Sequence, residues 1–177
     1  MKKLILIGIP NAGKSTLGRR ASEALKMSFY DMDDIIIENL KLERLADFTR
    51  IIFNGQFIKE QIKIMCDLFK IKKPEIISTG AETALIHECA VLMKSMGIII
   101  HIKRDPVITL TGMREKKCGI VMEINGERVD TQKGLIEEYA KEISAYETLA
   151  DLTLENNGSE DEGLEKLLKM LEQVFIK

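Results

Sequence analysis

Short apolar runs alternate with longer amphipathic stretches along the chain, a pattern typical of an α/β fold with a parallel sheet. Five runs have the length of buried strands, namely residues 3–7, 28–30, 74–80, 97–103 and 150–154. The stretches between them repeat apolar side chains at helical spacing, as Leu17, Ala21 and Leu25 do. Strands that alternate with helices in this way predict parallel pairing with right-handed crossovers.

The segment between the second and third strands is predicted to be helical and could form a substrate-side subdomain. Its helices are expected over residues 35–40, 45–53 and 57–69, with a break at Asn54-Gly55. In the last of these, an apolar stripe predicts the packing face, made of Ile58, Ile62, Met65 and Phe69. Further helices are predicted over residues 83–95 and 135–146, after Asp105-Pro106, and after Ser159, which is expected to cap the last helix.

The loop after the first strand matches the phosphate-binding pattern G-x-x-x-x-G-K-[ST]. Its glycines let the backbone turn so that successive amide groups face an anion, and the helix that follows adds the partial positive charge of its N-terminus. Lys14 can reach the β- and γ-phosphates, and the Ser15 hydroxyl can bind Mg²⁺. We therefore expect the loop to bind ATP through Gly8, Asn11, Ala12, Gly13, Lys14, Ser15 and Thr16.

A second polar cluster, Asp31-Met32-Asp33-Asp34, follows the second strand at the edge where open α/β sheets bind ligands. One carboxylate could hold a magnesium-bound water, and the other could accept a hydrogen bond or a proton from a substrate hydroxyl. Alternatively, Asp33 or Asp34 merely caps the next helix. The phosphate-binding loop upstream favours the functional interpretation.

The charged stretch from Arg114 to Gly119 has two interpretations. It is either a solvated surface loop or a lid whose cations close over the triphosphate, with Arg114 the best catalytic candidate. Asn125-Gly126, just beyond, could form a hairpin turn. His87 and His101 are interpreted as structural residues, His101 as a satisfied residue of the core or of the sheet edge.

Composition excludes several classes of function. The net charge of −2 offers no basic excess to nucleic acid, and the apolar runs are far shorter than a membrane span. The chain opens on a strand and a phosphate-binding loop, so we expect no signal peptide. Cys66, Cys89 and Cys118 lack metal-ligand spacing and are interpreted as reduced thiols. We expect a cytoplasmic monomer formed by one domain over residues 1–177, with a small-molecule alcohol as its partner.

At this point the chain resembles shikimate kinases, members of the nucleoside-monophosphate-kinase-like P-loop kinases. The resemblance rests on four blocks and their spacing, namely Gly8–Thr16, Phe29–Asp33, Ile76–Gly80 and Tyr146–Asp151. It implies a three-layer P-loop kinase fold with a five-stranded parallel sheet in the order 2-3-1-4-5. It also implies a substrate-binding insertion at 34–62, a lid at 110–125 and transfer of a phosphoryl group from Mg-ATP to a ring hydroxyl. By the same resemblance, Asp31 is on the magnesium side and Asp33 takes the substrate hydroxyl.

The chain departs from the family pattern where the substrate carboxylate should bind. The G-E-x-x-F-R arginine is absent from Gly55–Glu60, and Glu142 replaces an arginine four residues before Tyr146. Gly80-Ala81-Glu82 replaces three glycines, and Lys117-Cys118 replaces an Arg-Pro of the lid. The expected substrate-side residues are accordingly Asp33, Lys59, Gly80, Ala81, Glu82 and Glu142. Of these, Lys59 could restore a cation to the pocket, as could Arg50.

These departures leave two functions open. The first is an ATP-dependent small-molecule kinase, which acts on shikimate by resemblance or on a neutral or cationic alcohol by residue chemistry. The second is an ATP-binding regulatory or partner-binding module that has lost transfer activity, as the changed glycines and arginines favour. A nucleotide kinase would need more arginines than Arg44, Arg50 and Arg114.

Overall fold

The computed structural model describes residues 2–42, 55–109, 123–124, 127–128 and 131–175, with the backbone alone at 123–124, 127–128, 131–138, 141 and 174–175. Its strands are β1 (Lys3–Ile7), β2 (Ser28–Asp31), β3 (Glu75–Ser78), β4 (Gly97–Lys103), β5 (Glu123–Ile124), β6 (Glu127–Arg128) and β7 (Leu152–Glu155). Its helices are α1 (Lys14–Leu25), α2 (Met32–Leu40), α3 (Gln56–Lys70), a 3₁₀-helix (Ala81–Leu85), α4 (His87–Met96), α5 (Thr131–Leu149) and α6 (Glu160–Phe175).

The main sheet has five parallel strands in the order β2-β3-β1-β4-β7, which confirms the predicted 2-3-1-4-5 order. Every residue of β1 and β3 is buried. Central parallel strands are covered by helices on both faces, so such strands have no polar face.

The register of the sheet brings several loops to one edge. Ser78, the last residue of β3, pairs with Asp31 on β2 and with Leu6 on β1. The loop after β1, the start of α2 and the turn after β3 therefore emerge side by side at the carboxyl ends of the strands, where ligands bind in such sheets.

Several element boundaries differ from the sequence-based prediction. Helix α2 begins at Met32 instead of Ile35, because the side chain of Asp31 already caps it. The predicted helix 83–95 is divided into the 3₁₀-helix and α4, and α5 is longer than predicted at both ends. The cap at Ser159 is confirmed, since its Oγ accepts from the amide of Glu162 at 3.3 Å.

The predicted packing stripe of α3 is correct only in part, since Met65 is buried and Ile62 packs against the core, but the other two members are exposed. Ile58 is 48% exposed and Phe69 is 38% exposed. The buried face consists of Phe57, Gln61, Ile64, Met65 and Leu68. The apolar side chains of this helix wrap around much of its circumference, so their spacing alone does not fix the face that meets the sheet.

Some predictions fall outside the described residues, namely helix 45–53, the lid residues 110–122 with Arg114, and Cys118. The hairpin predicted around Asn125-Gly126 is confirmed by its strands, because Glu123 on β5 pairs antiparallel with Arg128 on β6. Within the described part of the chain, every helix is too short or too polar to span a bilayer.

His101 on β4 is fully buried, as predicted for a core residue, but it is not satisfied. Neither ring nitrogen has a hydrogen-bond partner among the described residues, and the ring packs against Tyr146 with the centroids 5.3 Å apart. Burial lowers the pKa of His101 from 6.5 to about 4, with the Lys103 and Lys14 charges adding to this effect and Glu147 opposing it. The ring is therefore neutral at physiological pH.

His101 is expected to make the fold sensitive to mild acid. The unfolded chain binds a proton at His101 below about pH 6.5 while the folded chain resists it, so the free energy of unfolding falls as pH drops from 6.5 toward 4. We expect a loss of about 2 kcal/mol near pH 5 relative to neutral pH. Urea unfolding of wild type and His101→Leu at both pH values measures this loss. An equal acid loss in the two proteins would contradict the assignment.

Candidate active site

The loop between β1 and α1 has the backbone that its sequence predicts. Gly8, Asn11 and Gly13 all have positive φ angles, of 146°, 55° and 99°. A Cβ on Gly8 would stand 2.5 Å from the Ile102 carbonyl oxygen, and one on Gly13 would stand 2.6 Å from Nδ2 of Asn156. Glycine is therefore required at both ends of the loop for space as well as for conformation.

Lys14 is buried at the end of this loop, where it donates to the carbonyl oxygens of Gly8 at 2.8 Å and Ile9 at 2.9 Å. Burial lowers the pKa of Lys14 from 10.5 to about 8, and the charges of nearby carboxylates oppose this decrease. Those carboxylates, in order of decreasing effect, belong to Asp33, Asp31, Glu142 and Glu82. The ammonium group thus lies among four acids that come from α2, its cap, α5 and the 3₁₀-helix.

Asp31 and Asp33 have different environments. Asp31 is 7% exposed and caps α2, since its Oδ1 accepts from the amide of Asp33 at 3.1 Å. Neither Asp33 nor Asp34 is the cap, contrary to the alternative raised from the sequence. Burial raises the pKa of Asp33 above 3.8, with Asp31 and Asp34 adding to the rise and Lys14 opposing it. A carboxylate with a raised pKa beside a cation can accept a hydroxyl proton.

Ser15 and Thr16 lie in the first turn of α1, and Oγ of Ser15 is 3.3 Å from Oγ of Ser78. Among the described residues, no group of three His, Cys, Asp or Glu side chains could hold a metal ion by itself. Magnesium in ATP-dependent enzymes takes most of its ligands from phosphates and water, with one or two from the protein. One hydroxyl and one carboxylate, such as those of Ser15 and Asp31, fit that requirement.

Tyr146, on α5, connects this helix to the turn after β3. The buried hydroxyl of Tyr146 donates to the carbonyl oxygen of Ala81 at 2.9 Å and to Oε2 of Glu142 at 3.1 Å. Burial and the Glu142 charge raise the pKa of Tyr146, so the phenol stays protonated. A Cβ on Gly80 would stand 2.9 Å from Oδ1 of Asp33, which brings this turn against the acid of α2.

Comparison with known proteins identifies the family, since a family model of shikimate kinase matches residues 10–172. The chain belongs to the shikimate kinase family. It is accordingly a kinase, a phosphotransferase with an alcohol acceptor, and the family implies ATP as donor.

Similar curated proteins and solved structures carry the same description. The shikimate kinase of Clostridium botulinum (strain Loch Maree / Type A3) is 29% identical over 160 residues, which cover 90% of this chain and 91% of that protein. The shikimate kinase of Buchnera aphidicola subsp. Baizongia pistaciae is 27% identical over 159 residues, covering 88% and 87%. The structure of shikimate kinase from Acinetobacter baumannii in complex with shikimate superposes with a TM-score of 0.83 at 19% identity, covering 99% of this chain and 93% of that one. This likeness confirms the P-loop kinase fold.

Within this family fold, the predicted site residues have three outcomes. Asp33, Glu142 and Glu82 act on Lys14 through their charges. Gly80 lies against Asp33, and the carbonyl of Ala81 accepts from Tyr146. The side chain of Lys59 is exposed on α3 and makes no hydrogen bond or ion pair with the described residues. Arg114 lies outside the described residues.

Asn156 supports the phosphate-binding loop from a distant part of the chain, and sequence reasoning missed it. Its Nδ2 donates to the carbonyl oxygen of Ala12 at 2.7 Å, although the two residues are 144 positions apart. Asn156 follows β7, and its own amide donates to the Lys103 carbonyl of β4. The predicted order of the strands does place β7 next to β4, but it does not show that the Asn156 side chain reaches the carbonyl of Ala12.

The affinity for ATP is expected to fall above pH 8. Lys14 has a pKa of about 8 in the free protein, and only its ammonium form attracts phosphate. Each further pH unit should weaken binding by up to about tenfold until the pKa of the complex is reached. Calorimetric titration of Mg-ATP across this range measures the change. Lys14→Arg stays protonated, so it should bind Mg-ATP more weakly than wild type but with an affinity that does not change across this range. An equal fall of affinity with pH in the variant and in wild type would contradict the role of Lys14.

Proposed function

We propose that the chain is a Mg-ATP-dependent kinase whose acceptor is a small neutral or cationic alcohol and not the carboxylate-bearing shikimate. The observation that carries this proposal is the position of Glu142, which is held by the Tyr146 hydroxyl beside the turn after β3. At this position the family resemblance expects an arginine that binds the substrate carboxylate. A carboxylate there attracts a cation and repels an acid.

The nucleotide half of the site supports transfer from ATP. Lys14 would exchange the carbonyls of Gly8 and Ile9 for phosphate oxygens of the nucleotide, which offer a charge-assisted bond in place of a neutral acceptor. Ser15 and Asp31 would hold the Mg²⁺, directly or through water. When bound, Mg²⁺ neutralises charge on the triphosphate.

Asp33 would act on the acceptor. Its carboxylate would accept the hydroxyl proton as the acceptor oxygen forms a bond to the γ-phosphorus and the bond from that phosphorus to the ADP oxygen breaks. The raised pKa of Asp33 suits this step, because a more basic carboxylate takes a proton more readily. Lys14, within range of the Asp33 charge, would steady both the carboxylate and the phosphate.

The acceptor half supports discrimination against acids. A bidentate bond from arginine to carboxylate contributes about 1.5–3 kcal/mol, and a lysine does not reproduce its geometry. A like charge at about 4 Å costs on the order of 1 kcal/mol in bulk water and on the order of 4 kcal/mol near a protein surface. Compared with the arginine that the family resemblance expects, Glu142 removes an attraction to a substrate carboxylate and adds a repulsion. Together these lower the affinity for an acidic substrate by orders of magnitude.

The test is a steady-state kinase assay with Mg-ATP and three classes of alcohol, namely polyols, amino alcohols and hydroxy acids including shikimate. We expect the highest kcat/KM with a polyol or an amino alcohol. The highest value with shikimate would overturn the proposed acceptor class. Intact Mg-ATP binding without turnover on any alcohol would instead identify a nucleotide-binding module, which the replacement of family glycines by Ala81 and Glu82 favours.

A further inference from the structure

The side chain of Asn156 lies between two helices and leaves no room for a larger residue beside it. Asn156 follows β7 and is 4% exposed. Its Nδ2 would be 2.6 Å from a Cβ on Gly13, at the start of α1, and a Cβ on Gly163 of α6 would meet its Oδ1. A glycine within a helix such as α6 costs stability relative to alanine. The space that the Asn156 amide occupies accounts for a glycine at this position.

The main chain of Asn156 is bound to the neighbouring strand. Its amide donates to the carbonyl oxygen of Lys103, the last residue of β4, at 2.8 Å. Its own carbonyl oxygen accepts from Nη1 of Arg104 at 3.1 Å. Both bonds join the carboxyl ends of β4 and β7, so the side chain extends to the phosphate-binding loop from the sheet itself.

The hydrogen bond from Asn156 to the loop orients one peptide group of the loop. Nδ2 donates to the carbonyl oxygen of Ala12 at 2.7 Å. The peptide group between Ala12 and Gly13 is trans and planar, so its carbonyl and its amide point in opposite directions. The amide of Gly13 therefore points away from Asn156, and among the described residues it has no hydrogen-bond partner. Gly13 is half-buried, unlike Ala12 and Lys14 on either side of it, so a ligand can reach this part of the loop.

We propose that Asn156 is a positioning residue for the nucleotide, which holds the Ala12 carbonyl so that the Gly13 amide donates to the β-phosphate. In loops of this kind the backbone amides bind the α- and β-phosphates, and the lysine reaches the β- and γ-phosphates. Gly13 directly precedes Lys14, so its amide is assigned to the β-phosphate, which the two sets of contacts share. The proposal rests on the nucleotide half of the proposed function.

The loop needs such support because its conformation is not fixed by regular secondary structure. Gly13 has a φ angle of 99°, and glycine is the residue with the widest choice of backbone conformations. Without Asn156, the Ala12 carbonyl would lose its donor and the peptide group would be free to rotate. A rotated group directs a carbonyl oxygen at the phosphate in place of an amide, and an oxygen repels an anion.

The test compares Asn156→Leu with wild type by displacement of a fluorescent ATP analogue with Mg-ADP and with AMP. Leucine keeps the size of the side chain between the two glycines but removes the donor. The Kd for Mg-ADP should rise about tenfold, the effect of one charge-assisted hydrogen bond. The Kd for AMP, which has no β-phosphate, should stay within about twofold of wild type. A merely structural role would weaken the binding of both nucleotides.

The matched control is Asn157→Leu, the same change at the next residue. Asn157 is exposed, and its Oδ1 accepts from the amide of Asp105 at 2.8 Å, so this variant also removes one hydrogen bond of an asparagine side chain. It should leave the ratio of the two Kd values unchanged, because Asn157 does not contact the Ala12 carbonyl.

Gly163→Ala is a second variant, which keeps Asn156 and remains informative if Asn156→Leu folds poorly in a thermal melt. Its methyl group would displace the Asn156 amide, whereas alanine favours the helix. The Kd for Mg-ADP should rise about two- to tenfold, again without a change for AMP. An unchanged ratio of the two Kd values in both variants, or an equal loss for both nucleotides, would overturn the role of Asn156 alone. A wild type that binds Mg-ADP no more tightly than AMP would overturn the nucleotide half of the proposed function and this inference with it.

Discussion

Asp33→Asn is expected to abolish phosphoryl transfer while leaving Mg-ATP binding intact. The asparagine keeps the shape of the side chain and its place beside Gly80, but it cannot accept the hydroxyl proton. Loss of a positioned general base lowers the rate by about 10² to 10⁴-fold. The acid limb of the wild-type pH profile should lie above the ordinary range of an aspartate, since burial raises the pKa of Asp33, and this limb should vanish in the variant. Steady-state turnover and calorimetric titration of Mg-ATP measure the two effects separately.

The neighbouring Asp34 provides the matched control for Asp33. Its side chain is 68% exposed and lies 3.5 Å from Arg19 of α1. Asp34→Asn should therefore keep turnover within about twofold, because an exposed ion pair contributes little. Unchanged turnover in Asp33→Asn would remove Asp33 from the mechanism, and equal losses in the two variants would attribute the effect to the charge of the segment as a whole.

Lys14→Ala is expected to weaken Mg-ATP binding by about 100-fold or more, because it removes a charge-assisted bond to the phosphates at the centre of the site. The variant should stay folded, since it also removes a buried ammonium group whose pKa burial has already lowered. Calorimetry measures the affinity, and circular dichroism checks the fold.

Lys94→Ala on α4 is a suitable control for Lys14→Ala, because Lys94 is exposed and lies on another helix. It should bind Mg-ATP as the wild type does. An unchanged affinity in Lys14→Ala would show that the loop after β1 is not the nucleotide site. The Mg-ATP affinities of Lys14→Ala and Lys94→Ala can be measured and compared without knowing which alcohol is the phosphoryl acceptor.

Local sequence patterns were sufficient to predict the conformation of the loop after β1. The loop from Gly8 to Thr16 is contiguous, and its glycines are required by positive φ angles that few other residues adopt. Strand β4 was likewise predicted at its observed bounds, because a continuous apolar run leaves little choice of structure. The sheet order, in contrast, came from the family resemblance, since the pattern of strands and helices does not determine which strands pair.

The acceptor half depends on packing that the sequence pattern does not contain. The buried face of α3 was predicted only in part, because Met65 is buried as expected whereas Ile58 and Phe69 are exposed. Gln61, which lies one turn before Met65 on the buried face, was missed. A glutamine at helical spacing with Phe57, Ile64 and Leu68 was the available signal. Similarly, the sequence-based prediction placed Asp31 and Asp33 together after the second strand, but it did not show that Asp31 caps α2 and that Asp33 lies within that helix.

The central claim is that the acceptor half of this kinase rejects a carboxylate. The most direct test is calorimetric titration of shikimate and of its carboxamide, with Mg²⁺ and a non-hydrolysable ATP analogue present. The two ligands share every hydroxyl and differ only in the charge that Glu142 would face. Tighter binding of the carboxamide, by about tenfold or more, is the predicted result, since one like-charge contact is worth at least about 1 kcal/mol. Tighter binding of shikimate would contradict the account.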